Sequence, residues 1–532
     1  MARRARHAVR LGLAALVAGM LLAAALPRAT GAPAGGTITI ARPSDSVSLD
    51  AHRDSSSPGA WVYSNIYETL VKLTQDMRIE PALATSWEIQ STRRMLFRLR
   101  KGVRFHDGSP FNAQAVKLTF DRTLNPQNPG VASSNLGPVE GVEVVDDYAV
   151  VVITRVPFAP LLRALTMVNA IPMVSPEGVR RAGDGFGRNP SGTGPFKFSE
   201  WLTNTRIVLV RNDDYWGPKP ALERVVFRVI PEDSARMLAL ETGEVDMVLG
   251  PAAAGLRRVR GNPKFKIAEV GGLRTLFYGF NNTLAPVNEV KVRQAINVGI
   301  DRKAIIDNVM EGIVEPATSL ISQRVFGAHD ISASWAYNRA KAEQLLDEAG
   351  WRKGPDGIRS RGGARPTLRL YTSRGRWPKD AETAEAIQAQ LRVLGIDARV
   401  NVLEWAIYFQ GLRRNAHADA HMLTLGWATT TGDADYGLRS QFACAAAPPR
   451  GWNAYNYCNK EYDELILRAM GSLDQDQRKT LYAKAQQILA HDVPAVAMYT
   501  YKEIVAHADY VRGYLIHPLD YYLWMNGVSV RR

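Results

Sequence analysis

Short β-patterned runs alternate with amphipathic helices along almost the whole of this chain, a rhythm that few architectures accommodate. RVVFRVI at 224–230 reads as a strand ending at Pro231. Asp233 then caps a helix through Met237 and Leu240, stopped by Gly243, and 245–249 returns to strand. Residues 142–152 alternate about Asp146-Asp147 as a hairpin. Further on, Asp380 follows Pro378 as a helix cap. Ala384, Ile387, Leu391 and Leu394 keep helical spacing up to Gly395, and Ile396, Ala398, Val400 and Val402 alternate as a strand. Asp474 with Gln477 resembles a capping box for the helix carrying Leu481, Ala485, Ile488 and Leu489, ended by Pro494. Such alternation predicts α/β lobes rather than a sandwich or a bundle. The 532 residues suffice for three to four domain-sized units of about 150 residues. With 46% hydrophobic and 22% charged residues and no internal repeat, a disordered chain, a multi-span membrane protein and a fibrous repeat are excluded.

Residues 1–34 read as a secretory leader. Arg3, Arg4, Arg6 and Arg10 open it, residues 11–26 form an uncharged apolar stretch, and Ala32-Pro33-Ala34 supplies small residues for cleavage near 34. The apolar stretch is shorter than the about 20 residues that cross a bilayer, and no cysteine stands near for a lipid anchor. A periplasmic location follows. Removing the leader's five arginines takes the net charge from +14 to +9, and the remaining cations are scattered among acids. No nucleic-acid partner is expected from that pattern. Cys444 and Cys458, the chain's two cysteines, lie close together, and in an oxidising compartment they are expected to form a local disulfide, with two free thiols as the alternative.

Several catalytic signatures are missing: no phosphate-binding GxxxxGK loop, no HExxH and no GxSxG occur. Gly192-Thr193-Gly194 runs into Pro195 and a strand, unlike a dinucleotide loop. His417 and His421 flank a predicted strand, where residues four apart lie about 13 Å apart, so they read as ordinary surface histidines and no metal site is expected.

Five segments carry a resemblance. The first is Ala84-TSW-Glu88 with FRLRKGVRFHDGSPFNAQAVKLTFDR at 97–122, which reads as a strand, a tight Asp107-Gly108 turn and an Asn112-capped helix. GTGPFKFS at 192–199 is followed by RNDDYWGPKPALERVVFRVI at 211–230. The others are Phe280-Asn281-Asn282 with VRQAINVGIDRKAII at 292–306, AKAEQLLDEAGWR at 340–352, and RKTLYAKAQQILAHDVPA at 478–495. In this order they resemble the extracytoplasmic solute-binding proteins of the peptide/nickel class, family 5, which serve ATP-binding-cassette importers. The resemblance implies a two-lobed α/β periplasmic-binding fold (type II, cluster C-like). Residues 35–284 would form lobe I with an inserted subdomain at about 60–185, residues 285–507 lobe II, and residues 508–532 a return to lobe I. Chain crossings are expected near 281–286 and 506–512. Closure over a solute would be a population shift towards the shut form.

The resemblance also points to site residues. The loop after Trp427 lines the cleft in this family, and dipeptide- and oligopeptide-binding members place an aspartate three residues past that tryptophan for the ligand's α-amino group. Thr430 stands there in this chain. The run WATTTGDAD, with Thr429, Asp433 and Asp435, is closer to the pattern of glutathione-binding members. Arg374 aligns with an arginine that holds the ligand carboxylate in dipeptide-binding members, with Arg376 two residues away. A guanidinium grips a carboxylate bidentately. Ser56, within Ser55-Ser56-Ser57, lies in the first-lobe loop that faces the cleft. The cysteine pair also matches dipeptide-binding members.

The expected function is a monomeric periplasmic receptor for a small peptide or peptide-like solute, glutathione among the candidates. It would need no cofactor and no catalytic residue, and its permease and ATPase subunits would be separate chains. An opine, an oligosaccharide or a nickel chelate is the alternative cargo on the same fold. A secreted hydrolase is the more distant alternative, and no nucleophile–base set is visible for it.

Overall fold

The computed structural model describes residues 36–374, 376–414, 416–448 and 451–532, so the expected leader lies outside the described residues. Its first strand is β1 (Thr37–Arg42). An antiparallel sheet follows, built from β2 (Ala84–Ser91), β3 (Arg94–Leu99), β4 (Val139–Asp146) and β5 (Ala149–Thr154) in the order β2-β3-β5-β4. The β4–β5 hairpin turns at Asp146-Asp147 as its alternation predicts. Asn112 caps the helix Ala113–Leu124 that covers this sheet, and the pair encloses its own apolar core, from Leu70 and Phe97 to Phe120 and Met173. An insertion within the first lobe is therefore a packing unit in its own right.

The remaining strands build one large sheet. They are β6 (Phe196–Leu202), β7 (Arg206–Arg211), β8 (Arg224–Val229), β9 (Met247–Leu249), β10 (Phe265–Phe280), β11 (Val314–Pro316), β12 (Thr367–Arg374), β13 (Asp397–Glu404), β14 (Met422–Ala428) and β15 (Ala495–Ala508). Their order is β13-β12-β14-β10-β15-β9-β1-β8-β7-β6, with β11 added to β15. The β1–β8, β1–β9, β12–β13 and β12–β14 pairs are parallel; the helix Asp380–Val393 joins β12 to β13, whereas the whole inserted sheet lies between β1 and β8. Helix-covered faces explain the Val/Ile/Leu-rich composition of these strands.

Two long strands, β10 and β15, run through both lobes. The first half of β10 pairs with the end of β15, from Phe265 opposite Ala508 to Gly271 opposite Lys502. Pairing then shifts between Gly271 and Thr275, and the second half of β10 takes β14 as its other neighbour, from Arg274 opposite Ala428 to Phe280 opposite Met422. The sheet therefore changes neighbours at 271–275 and 500–502, upstream of the crossings expected near 281–286 and 506–512. The terminal segment lies on the first lobe: Asn65 Nδ2 donates to Leu523 O at 2.8 Å, and Tyr522 Oη to Thr166 O at 2.6 Å.

Local details differ from the sequence reading. Glu232, not Asp233, caps the helix Asp233–Glu241, its carboxylate accepting from Ser234 N and Ala235 N. Lys379, in the left-handed region, precedes the helix Asp380–Val393, so Asp380 is its first residue. Asp474 caps Gln475–Asp492, but Gln477 accepts from Ser472 Oγ instead of closing the box. His417 and His421 are buried rather than on the surface, with Nε2 of each beside a backbone carbonyl, Tyr408 O at 3.1 Å and Ala285 O at 3.2 Å.

Cys444 and Cys458 form the disulfide. It closes a loop of about 15 residues, worth on the order of 3 kcal/mol through the entropy of the unfolded chain. Replacing both cysteines by alanine is expected to lower the unfolding free energy by about that amount, read as a lower urea midpoint at unchanged slope. An unchanged midpoint would assign the bond no stabilising role.

Candidate ligand site between the lobes

The loop after β14 builds one wall. Gly426 is required by close approach: a Cβ there would lie 2.7 Å from the Trp377 indole. Trp427 follows, half-buried, with its ring centroid 5.2 Å from Tyr436 and 5.4 Å from Trp452. Gly432, at φ +66°, turns the chain into the helix Ala434–Phe442, which Asp433 caps by accepting from Asp435 N. Thr429 and Thr430 are buried between. The Trp427 Nε1, Trp377 Nε1 and Thr429 Oγ1 groups have no hydrogen-bond partner among the described residues. Buried polar groups left so are rare and mark places where a bound molecule or water completes the structure.

The two aspartates of this loop are held internally. Asp433 is fully buried, with both carboxylate oxygens 2.8 Å from Arg478 Nη2. Asp435 accepts from Arg439 one helical turn on, at 2.8 and 3.0 Å. Arg374 is exposed at the end of β12, where Glu404 is its register partner. Ser56 caps the helix Ser57–Tyr63 through Gly59 N. Of the sequence-selected residues, Trp427, Thr429, Thr430, Asp433 and Asp435 come together in the loop and helix start after β14. Arg374 and Ser56 lie on other elements, at a strand end and a helix cap.

A chain of contacts joins the first lobe to this loop through residues that the sequence reading did not select. Ser57 Oγ donates to Asp520 Oδ2 at 2.7 Å, and Trp61 Nε1 to Asp520 O at 2.6 Å. Arg274 lies 4.0 Å from Asp520 and donates to Gly426 O at 3.0 Å, just before Trp427. Glu503 lines the same cavity as Asp520. Burial raises its carboxyl well above the usual carboxylate range, and the Asp520 charge adds to that. Arg376, two residues from Arg374, holds its guanidinium 5.7 Å from the Trp405 ring. Its pKa is lowered by desolvation first and then by Arg274, although solvent reaches it, as suits a group on a concave wall. One signal could have found Glu503: with Lys502 it forms a charged pair inside the mostly apolar strand AVAMYTYKEIVAHA.

A cavity of about 410 Å³ lies between the lobes, lined by Trp61, Glu503, Tyr514 and Asp520 from the first lobe and by Glu311 and Lys379 from the second. A second cavity of about 490 Å³ lies where Phe158 and Pro160 of the insertion face Tyr436, Arg439 and Trp452. The lobes also touch directly, Ala159 N donating to Met470 O at 2.8 Å. Pockets at such junctions are where small molecules bind.

Replacing Gly426 by alanine is expected to displace Trp377 and cost about 1–3 kcal/mol, as overpacking does. Urea unfolding of the purified variant checks it, and an unchanged midpoint would show that the indole yields freely.

Two lobes sharing one sheet, with aromatic and charged side chains meeting between them, define a two-lobed binding protein. The chain belongs to family 5 of the bacterial extracellular solute-binding proteins, whose middle region matches residues 78–449. It is 30% identical over 487 residues to the dipeptide-binding protein of Escherichia coli (strain K12), covering 86% of this chain and 87% of that one. It is likewise 30% identical over 489 residues to heme-binding protein A of Haemophilus influenzae, covering 87% of each. Among solved structures, the transporter-associated periplasmic binding protein DppA of Helicobacter pylori, in complex with the peptide STSA, superposes with a TM-score of 0.76 at 29% identity, over 94% of this chain and 98% of that one. No helix among the described residues is long and apolar enough to cross a membrane.

Proposed function

We propose that this chain is the periplasmic receptor of an ABC importer that binds a small peptide or peptide-like solute between its lobes. It delivers that solute unaltered to separate permease and ATPase subunits, and it works as a monomer after cleavage near residue 34. The observation that carries the reading is the interlobe cavity, with guanidinium groups (Arg274, Arg376) and carboxylates (Glu503, Asp520) close to the tryptophan-lined loop. A peptide presents both charges and apolar side chains, and such a wall matches all three. The E. coli dipeptide-binding relative and the peptide-bound H. pylori structure support it. Trp427, Thr429 and Thr430 are the loop contacts in this reading, and Arg376 takes the carboxylate role first assigned to Arg374. The lobes hinge at 271–275 and 500–502, where the strand register breaks.

Calorimetric titration of the purified protein with dipeptides, tripeptides and both redox forms of glutathione tests the proposal. At least one is expected to bind with release of heat. Binding of none, with uptake of heme, an opine or a nickel chelate instead, would reassign the cargo. Turnover of any peptide would favour a hydrolase.

A further inference from the structure

The insertion reaches across to the second lobe at three points, none of them on the long strands β10 and β15. Met470, near the end of the helix Lys460–Gly471, packs its side chain against the insertion's own apolar core, and its carbonyl accepts from Ala159 N. The Arg163 guanidinium lies 5.3 Å from the Phe326 ring. Gly432 is approached so closely that a Cβ there would lie 2.8 Å from Met77 Cε and 3.2 Å from Arg163 Nη1. Met77 itself holds φ +63°, a left-handed conformation uncommon outside glycine, and its carbonyl accepts from Arg163 Nη1 at 3.3 Å. A backbone kept in that region is over-determined by its surroundings.

The receiving patch on the second lobe is tied into one piece by Arg478. That residue donates to Ala469 O, beside Met470, and to the Asp433 carboxylate, beside Gly432, while its guanidinium faces the Phe326 ring at 4.8 Å. Phe326 N donates in turn to Gly432 O at 2.9 Å. On the opposite side, Phe158 and Leu161 root the contacting segment in the insertion's core. Met77, Arg163, Phe326 and Met470 line neither of the two interlobe cavities.

We propose that this contact is a clasp: Met77 and residues 158–163 of the insertion, seated on Phe326, Gly432 and Met470, hold the lobes shut without touching the solute, so that the empty protein already populates the shut form. The inference rests on the two-lobed reading and not on which solute is carried. Burial of Met470 and the arginine–ring contact are gained on closing whether or not the cavity is filled, so they bias the open–shut equilibrium by themselves. A receptor whose competent form is only fractionally populated binds more weakly by that fraction. Weakening the clasp therefore lowers the affinity for every solute by one common factor, which the loss of a solute contact does not do.

The test is a pulsed electron paramagnetic resonance distance between spin labels at Val145→Cys on the insertion and Val393→Cys on the second lobe, both exposed positions. It is measured on the empty protein, alone and with Arg163→Ala or Met470→Ala, with circular dichroism reporting that each variant is folded. The empty protein is expected to show a shut and an open distance, and each variant to lower the shut-to-open ratio at least about tenfold. Absence of a shut population before the substitutions, or an unchanged ratio in a folded variant, overturns the clasp. For any dipeptide, tripeptide or glutathione form that binds in calorimetry, both variants are expected to lose affinity by the factor by which their shut population falls. A loss that differs from one solute to another makes these residues solute contacts and overturns the clasp as well. Binding of none of these solutes removes the peptide reading alone, and the distances still decide the clasp.

Discussion

Replacing Arg478 by leucine is expected to lower the unfolding free energy by about 3–5 kcal/mol, the range found when one partner of a buried ion pair is removed. Both members are enclosed, with Asp433 at 0% and Arg478 at 2% relative exposure. The carboxylate has few other donors: Tyr482 Oη at 3.3 Å and the backbone of its own helix start. The guanidinium also packs 4.8 Å from the Phe326 ring and donates to Ala469 O at 3.1 Å, so packing is lost together with charge. Asp433 begins the helix that carries Tyr436, the ring against which Trp427 lies. Loosening that pair therefore moves the cleft wall as well as the core. The double variant Asp433→Asn with Arg478→Leu is expected to recover part of the loss, because it leaves neither charge buried alone. Urea unfolding of the two single variants and the double variant measures the coupling. Additive losses would show that the two residues act independently.

That pair also shows where the sequence was legible and where it was not. Trp427 with the Thr/Gly/Asp run behind it marked a loop at a strand end, and the structure has β14 running into that loop there. The same residue types serve as caps and as ligand contacts. Nothing local could show that Asp433 meets an arginine 45 positions on, whereas the Asp435–Arg439 pair has the i, i+4 spacing of neighbours on one helix face. Strands and helices followed from period and punctuation. β8, the β4–β5 hairpin and the Asn112 cap stand where alternation and turn residues put them. Crossings leave less trace in a sequence, because two strands continue through both lobes and register shifts between Gly271 and Thr275 and between Leu276 and Phe277 accompany the change of neighbours. Asp520, Arg274 and Glu503 escaped notice for a related reason. They come from three distant segments, and their significance lies in their contact, which no spacing along the chain encodes.

Acid is expected to remove the other large share of stability, and the source is three histidines that the first lobe keeps neutral. Burial lowers His52 from 6.5 to about 4, with Arg122 adding to the effect, and burial lowers His106 and His517 likewise to about 4. Each Nε2 lies beside a backbone carbonyl: Pro172 O at 3.1 Å, Gly194 O at 2.9 Å and Leu73 O at 3.2 Å. The unfolded chain binds protons at these sites near pH 6.5, the folded one only near 4. Unfolding therefore takes up protons between those values, so stability is complete above about 6.5 and falls as the pH drops towards 4. One pKa unit is worth about 1.4 kcal/mol, so the three sites together remove several kcal/mol. Glu68 and Glu503 act in the opposite sense. Desolvation raises both, so their folded forms hold protons more tightly and become relatively more stable as the pH falls, which offsets part of the loss. Urea unfolding at pH 7.5, 6, 5 and 4.5 is expected to show a steep decline across this window, and replacing His517 by asparagine to lower the slope near pH 5 by about one proton. A stability that stays level from 7.5 to 4.5 would mean that these imidazoles accept protons without unfolding, and the enclosed first-lobe environment described for them would be wrong.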